Sequence, residues 1–297
     1  MSDNNRQAAL NCLAGSVGGV GQVLAGQPFD TIKVRIQSQP TEYRGAFDCL
    51  KKLVGENGVQ GLYKGTTSPL MGISVCVSLQ FLTLEKMKQY FADRNMRAGQ
   101  QGGQLLPSQL FLAGGVAGLA NSVASCPVEH IRTRLQIQNA GQELYSGTID
   151  CVKKISAEYG VSALYKGMVP TLYREFFGYG AYFLAYEYFV ARELAKSGGK
   201  RADLASWKVC LYGSYAGFSM WLLCFPIDAI KTKIQTDAFA ANARYKSTLD
   251  CLTSTLKSGG VAGLYRGLSP CLLRAAPANA ATFICFEYAM RFLQTHT

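Results

Sequence analysis

A ten-residue pattern occurs three times in this chain at a fixed interval, and no other feature limits the fold as much. It reads Pro28-Phe29-Asp30-Thr31-Ile32-Lys33-Val34-Arg35-Ile36-Gln37, then Pro127-Val128-Glu129-His130-Ile131-Arg132-Thr133-Arg134-Leu135-Gln136, then Pro226-Ile227-Asp228-Ala229-Ile230-Lys231-Thr232-Lys233-Ile234-Gln235. The prolines stand 99 residues apart both times. Each copy has an acid two residues after its proline, bases five and seven after, and a glutamine nine after. Self-similarity at a fixed period marks a repeat architecture. Three such units are each too thin to bury their own apolar faces, so residues 1–297 are expected to form one domain, with repeats over 8–93, 107–195 and 206–294.

Charge deficit points to lipid. Only 16% of residues are charged and 48% are hydrophobic, against about 25% charged in a soluble domain. Charges bracket six apolar windows: 8–29, 65–84, 107–128, 167–186, 209–227 and 267–286. Each has about the length a helix needs to cross a bilayer. All are rich in Gly, Ala and Ser, which suits close helix packing around a polar interior. Gly15 and Gly19, Gly114 and Gly118, and Gly213 and Gly217 also recur 99 apart. They predict equivalent close contacts for the first, third and fifth spans. Six spans put both termini on one side.

The three longer loops lie on the other side and hold short amphipathic segments near 46–56, 148–158 and 248–258, read as helices along the membrane surface. Cys49, Cys151 and Cys251 occupy one position in those segments and are read as small packing residues. Polar linkers near 97–104 and 196–202 join the repeats.

Net charge is +11, but the bases recur beside apolar windows instead of clustering on one face. That excludes nucleic acid as a partner and fits anionic headgroups. The ten Cys include no CxxC pair, and the two His, His130 and His296, have no zinc spacing. No metal or cofactor is expected. The N-terminal stretch is short and polar and reads as neither a signal peptide nor an Arg-rich leader, so targeting is expected from internal segments.

Prolines within helices remove a backbone bond and bend the axis, so Pro28, Pro127 and Pro226 are expected to turn three helices inward. Just beyond them, Asp30, Glu129 and Asp228 share helix faces with Lys33, Arg132 and Lys231, three residues on. On a three-fold body the acid of one repeat reaches the base of the next, giving a ring of three ion pairs. Gln37, Gln136 and Gln235 are expected to brace those pairs. The opposite end is less symmetric. Glu85, Glu187 and Glu287 recur, but only Lys88 supplies a base three residues later. That end is expected to close more weakly, with one pair at most.

Only three full charges fall inside the windows: Arg174, Glu175 and Arg274. Arg174 and Arg274 each follow a basic residue, Lys166 or Arg266, by eight, and so share a depth. The first repeat has Gly72 there. A charge at the bilayer centre costs about 2.5–3.5 kcal/mol on insertion scales and is read as functional. Arg174 and Glu175 point about 100° apart on a helix, which argues against a pair between them. Two guanidiniums suit a carboxylate, and Glu175 suits an ammonium. Gly72 and its apolar neighbours leave room for a side chain or acyl tail. No nucleophile–base pair, metal cluster or phosphate cradle occurs, so an enzyme is not expected.

The thrice-repeated Pro-x-[Asp/Glu]-x-x-[Lys/Arg]-x-[Lys/Arg]-x-Gln resembles the defining signature of the mitochondrial carrier family over essentially the whole chain. The resemblance implies an all-α, pseudo-three-fold bundle of six transmembrane helices with three matrix surface helices. It also implies the mitochondrial inner membrane, termini towards the intermembrane space and a matrix gate at the proline end. Transport alternates access in that family, usually by exchange. Its three contact points map onto Gly72, Arg174–Glu175 and Arg274. An Arg–acid pair on the fourth span is similar to amino-acid and carnitine carriers. The stretch Arg274–Ala281 is similar to carnitine/acylcarnitine and basic amino-acid carriers, whereas Gln27 departs from the His those relatives carry. The first expectation is therefore an amino-acid antiporter, ahead of a carnitine/acylcarnitine exchanger and of a non-transporting scaffold. Expected partners are that small-molecule substrate and membrane lipid, cardiolipin included, with the chain acting as a monomer.

Overall fold

The computed structural model describes residues 3–99, 105–139, 141, 143–197, 204 and 206–296. The linkers expected near 97–104 and 196–202 lie mostly outside the described residues. The elements are α1 (Asp3–Ser38), α2 (Ala46–Asn57), α3 (Thr67–Arg97), α4 (Pro107–Gln136), α5 (Thr148–Tyr159), α6 (Met168–Ser197), α7 (Ser206–Thr236), α8 (Thr248–Leu264), α9 (Leu268–Leu273) and α10 (Ala275–His296). The first five windows each fall in one long helix, except that residues 65–66 and Gly167 precede α3 and α6. The sixth is divided between α9 and α10 at Arg274. Pro277 explains the division, because it has no N–H to offer the Leu273 carbonyl.

Among the described residues, only α3 and α4 carry a strongly apolar 18-residue stretch. The others interrupt theirs with Gly, Ser and Tyr or, in α6, with charge. Outward residues such as Met71, Leu82 and Leu223 remain about two-thirds exposed, as lipid-facing side chains should.

α1, α4 and α7 run through Pro28, Pro127 and Pro226 without a break. The Leu222 carbonyl, which Pro226 leaves without its helical donor, instead accepts the Tyr265 hydroxyl at 3.3 Å. Below the prolines, three matching small cores dock the surface helices. Cys49 and Leu53 pack with Ile32 and Ile36, Cys151 and Ile155 with Ile131 and Leu135, and Cys251 with Ile230 and Leu264. All three Cys are fully buried. Each surface helix starts the same way: Asp48, Asp150 and Asp250 accept the backbone N–H of Arg44, Ser146 and Lys246 at 2.9–3.0 Å. These carboxylates, in the first turn of each helix, tie the chain just ahead of the helix to its start.

Repeats are joined by one device used three times. Gly65, Gly167 and Gly267 have φ of +79°, +83° and +88°, a region that a Cβ penalises. They also lie close to the following repeat, near the Arg132 carbonyl, the Gln235 side chain and the Lys33 carbonyl. The preceding bases reach across the same seams. Lys64 meets Glu143 at 2.5 Å, Lys166 donates to the Asp237 carbonyl at 3.0 Å, and Arg266 donates to the Tyr43 carbonyl at 2.7 Å. The third repeat thereby closes onto the first.

The paired glycines of the odd spans do not pack equivalently, contrary to the expectation from their spacing. Gly114 and Gly118 lie tightly against the Tyr179 and Glu175 carbonyls of α6. In α1 the close contacts come from Gly18 and Gly21, against Thr282 and Cys285 of α10, while Gly15 has open space. Gly213 and Gly217 face a cavity instead. The cause is an uneven bundle: α4 packs closely on α3 and α6, α6 on α7, and α1 on α10, whereas α7 and α10 scarcely touch.

Candidate functional site

All three ion pairs of the proline end are formed, each between an acid of one repeat and the base of another. Asp30 meets Arg132 at 2.7 Å, Glu129 meets Lys231, and Asp228 meets Lys33 at 2.6 Å. The one-turn spacing of acid and base on each helix produces this ring, because every helix presents its acid to one neighbour and its base to the other.

The ring is symmetric, but its cavity-side cover is not. Arg132 also donates to Gln27, whose amide donates to the Lys64 carbonyl at 2.9 Å. Arg274 reaches the same Asp30 carboxylate at 3.3 Å. Arg174 reaches Glu129 at 3.1 Å and approaches Asp228 at 3.8 Å. Lys33 lies under the indole of Trp221, 4.6 Å from its centroid, and near the Phe225 ring at 5.3 Å. Each pair therefore has a different third partner: Gln27 with Arg274, Arg174, or Trp221. Neither Gln27 nor Trp221 was singled out as a site residue by sequence reasoning. The equivalents of Gln27 are Cys126 and Phe225, and those of Trp221 are Val23 and Ser122, so a search for three-fold patterns passes over both.

Several expected roles change in this arrangement. Arg174 and Glu175 do pair with each other. Helical geometry separates their Cα–Cβ directions, but the long arginine arm swings round to the carboxylate. Glu175 is buried beside α4, with Asn121 donating to it at 3.4 Å, and lines neither central cavity. Gly72 is a packing position: a Cβ there would stand 2.6 Å from a Val128 methyl of α4. The glutamines do not brace the ring. Among the described residues the Gln37 amide has no hydrogen-bond partner, and Gln136 donates at 3.2 Å to the Thr31 hydroxyl. They extend into the inter-repeat seams, where Gln37 and Gln235 pack on Gly267 and Gly167.

At the opposite end Lys88 and Glu187 approach to 3.7 Å. Glu287 pairs along its own helix with Arg291, and Glu85 is exposed. Two spaces lie between the ends. A small one of about 100 Å³ sits on the ring among its charges, Arg174, Arg274 and Trp221. A larger one of about 800 Å³ lies between α6, α7 and α10, bordered also by Gln22 of α1 and by α9, with Arg274 and Trp221 at its inner end. These two residues border both spaces.

A bundle of long helices with apolar outer faces, a ring of ion pairs at one end and two arginines, Arg174 buried and Arg274 partly so, above it defines a membrane carrier. A family model described as "Mitochondrial carrier protein" matches residues 4–95, 103–195 and 202–297. The chain belongs to the mitochondrial carrier family. It is 46% identical over 285 residues to the glutamate/glycine mitochondrial carrier ymc1 of Schizosaccharomyces pombe, covering 95% of this chain and 93% of the relative. It is 40% identical to the mitochondrial glycine transporter YMC1 of Saccharomyces cerevisiae, over 98% and 93% of the two chains. It is also 40% identical to the human mitochondrial basic amino acids transporter, over 93% and 88%.

Proposed function

We propose that this protein is an antiporter of the mitochondrial inner membrane that exchanges amino acids by alternating access, and that it is no enzyme. The observation that carries this reading is the placement of Arg174 and Arg274. Both stand at the depth of the cavities, and both share ring acids with the ring's own bases. A substrate carboxylate entering from the open side competes with Glu129 and Asp30 for these guanidiniums. Guanidinium binds a carboxylate in two-pronged geometry, so the ligand can draw both arginines away from the ring. Binding is thereby coupled to the gate, and the ring opens towards the matrix as the far end closes. The Lys88–Glu187 contact, at 3.7 Å longer than the ring's own pairs, makes that far end the weaker closure. The relatives named for glycine, glutamate and basic amino acids support amino acids as the substrate class.

The test is counter-exchange in liposomes preloaded with amino acids or carnitine esters. Amino-acid exchange is expected, and Arg174→Ala and Arg274→Ala are each expected to abolish it while preserving the fold. Exchange of carnitine esters alone would overturn the substrate class. Uptake of nothing by well-folded protein would point to a scaffold. Undiminished transport by both folded variants would remove the arginines from the site.

A further inference from the structure

We infer that the α6–α7–α10 cavity selects zwitterionic and singly negative amino acids over those with cationic side chains, and that the uncharged polar residues Gln22 and Asn279 set this preference. The inference rests on the amino-acid reading above and narrows it. Identity leans the same way but names no residues: the relative named for glutamate and glycine is 46% identical to this chain, and the human one named for basic amino acids is 40% identical.

Charge around the cavities makes the distinction. The larger space is within the range of about 300–1,000 Å³ usual for small-molecule sites. Its only fully charged lining residue among those described is Arg274; Gln22, Asn279, Tyr182 and Trp221 supply neutral polar atoms and aromatic faces. The small space beneath brings the ring's three acids and three bases together with Arg174 and Arg274, an excess of two positive charges. Glu175, the one carboxylate the central spans offer, is turned away against Asn121 and engaged by Arg174. It lowers the excess to one without facing either space. Arg274 Nε stands 3.3 Å from Asp30 and Arg174 Nε 3.8 Å from Asp228, long contacts that an incoming carboxylate can replace.

A ligand carboxylate at Arg274 offsets the remaining positive charge. One ammonium can rest against the aromatic faces and accept help from the side-chain carbonyls of Gln22 or Asn279. A second ammonium meets no carboxylate and adds to an uncompensated excess in a low-dielectric space, where like charges repel strongly.

Counter-exchange in proteoliposomes is measured for glycine, glutamate, lysine and arginine, with wild type, Asn279→Asp and Gln22→Glu. Wild type is expected to exchange glycine or glutamate at least about tenfold faster than lysine or arginine, the factor that about 1.4 kcal/mol supplies. Either variant is expected to raise lysine exchange and to lower glutamate exchange. Ligand-induced shifts in melting temperature provide a second readout if a variant turns over slowly. Wild-type exchange of lysine or arginine as fast as glycine and glutamate overturns the inference and leaves the amino-acid reading intact. So does failure of both folded variants to gain lysine exchange or lysine-induced stabilisation. Absence of exchange with any amino acid overturns both.

Discussion

Asp30 is the ring acid that faces two guanidiniums within 3.3 Å, one of the ring and one of the cavity, and its removal has a calculable cost. Its carboxylate accepts Arg132 at 2.7 Å and faces Arg274 at 3.3 Å. Asp30→Asn leaves two guanidiniums beside a neutral amide. Stripping one partner from a buried ion pair costs about 3–5 kcal/mol. The Arg132 and Arg274 side chains are 18% and 29% exposed, and Gln27 still accepts from Arg132. The lower bound, about 3 kcal/mol, is therefore appropriate. That corresponds to more than a hundredfold loss of the ring-closed state relative to states without the pair. Arg132→Gln should cost less, because Asp30 keeps Arg274. The double variant should cost about 2 kcal/mol less than the two single costs added together, the size of coupling found between contacting residues. Equilibrium unfolding in mixed detergent micelles, run as a double-mutant cycle, measures this coupling. Costs that add to within about 0.5 kcal/mol, as they do for distant sites, would refute the ring as an energetic closure, whatever its geometry.

Three further outcomes follow from other parts of the molecule. Gly167→Ala places a Cβ at φ +83° and 2.8 Å from Gln235 Cγ; it should cost about 1–3 kcal/mol, whereas Gly45→Ala, with open space, should melt within a degree or two of wild type. Burial pushes the Cys49 and Cys251 thiols up to about 11 and the Cys151 thiol up to about 12. Because the thiolate is the reactive form and an ordinary thiol titrates near 8.5, maleimide labelling of these three in folded protein should be negligible at pH 7.5. It should rise only as pH climbs towards 11, and rapid labelling of native protein at pH 7.5, read by peptide mass spectrometry, would contradict their packing role. Trp221 borders both cavities, and the chain has one other Trp, Trp207. With Trp207→Phe, Trp221 emission should shift on adding a transported amino acid, and an unchanged spectrum at saturating substrate would place the indole outside the coupling route.

Sequence reasoning succeeded where one physical demand is made three times. Acid and base one turn apart on three helices produce the ring. The Cys positions likewise mark three docked surface helices, because each needs the same small buried contact. It failed where depth had to stand in for direction. Gly72, Arg174 and Arg274 share a level, but level says nothing about which way a helix is turned, and Gly72 faces Val128 instead of the cavity. The Arg174–Glu175 pair was missed for a related reason: backbone directions on a helix do not bound the reach of an arginine. Gln27 and Trp221 belong to a third kind. Each occurs in one repeat only, and a repeat-based comparison treats such a residue as noise.

On the reading proposed above, these single-copy residues are what make a symmetric body selective. Three identical ion pairs would open together and respond alike to any ligand. Here the Asp30 pair is tied to Gln27 and Arg274, the Glu129 pair to Arg174, and the Lys33 pair is covered by Trp221. An anion placed between the two central arginines acts directly on the first two pairs. It reaches the third through the indole or through the Arg174 contact with Asp228. On that reading the three repeats supply an ion pair at each seam, and the departures from repetition supply the means by which a small, asymmetric solute releases the closure.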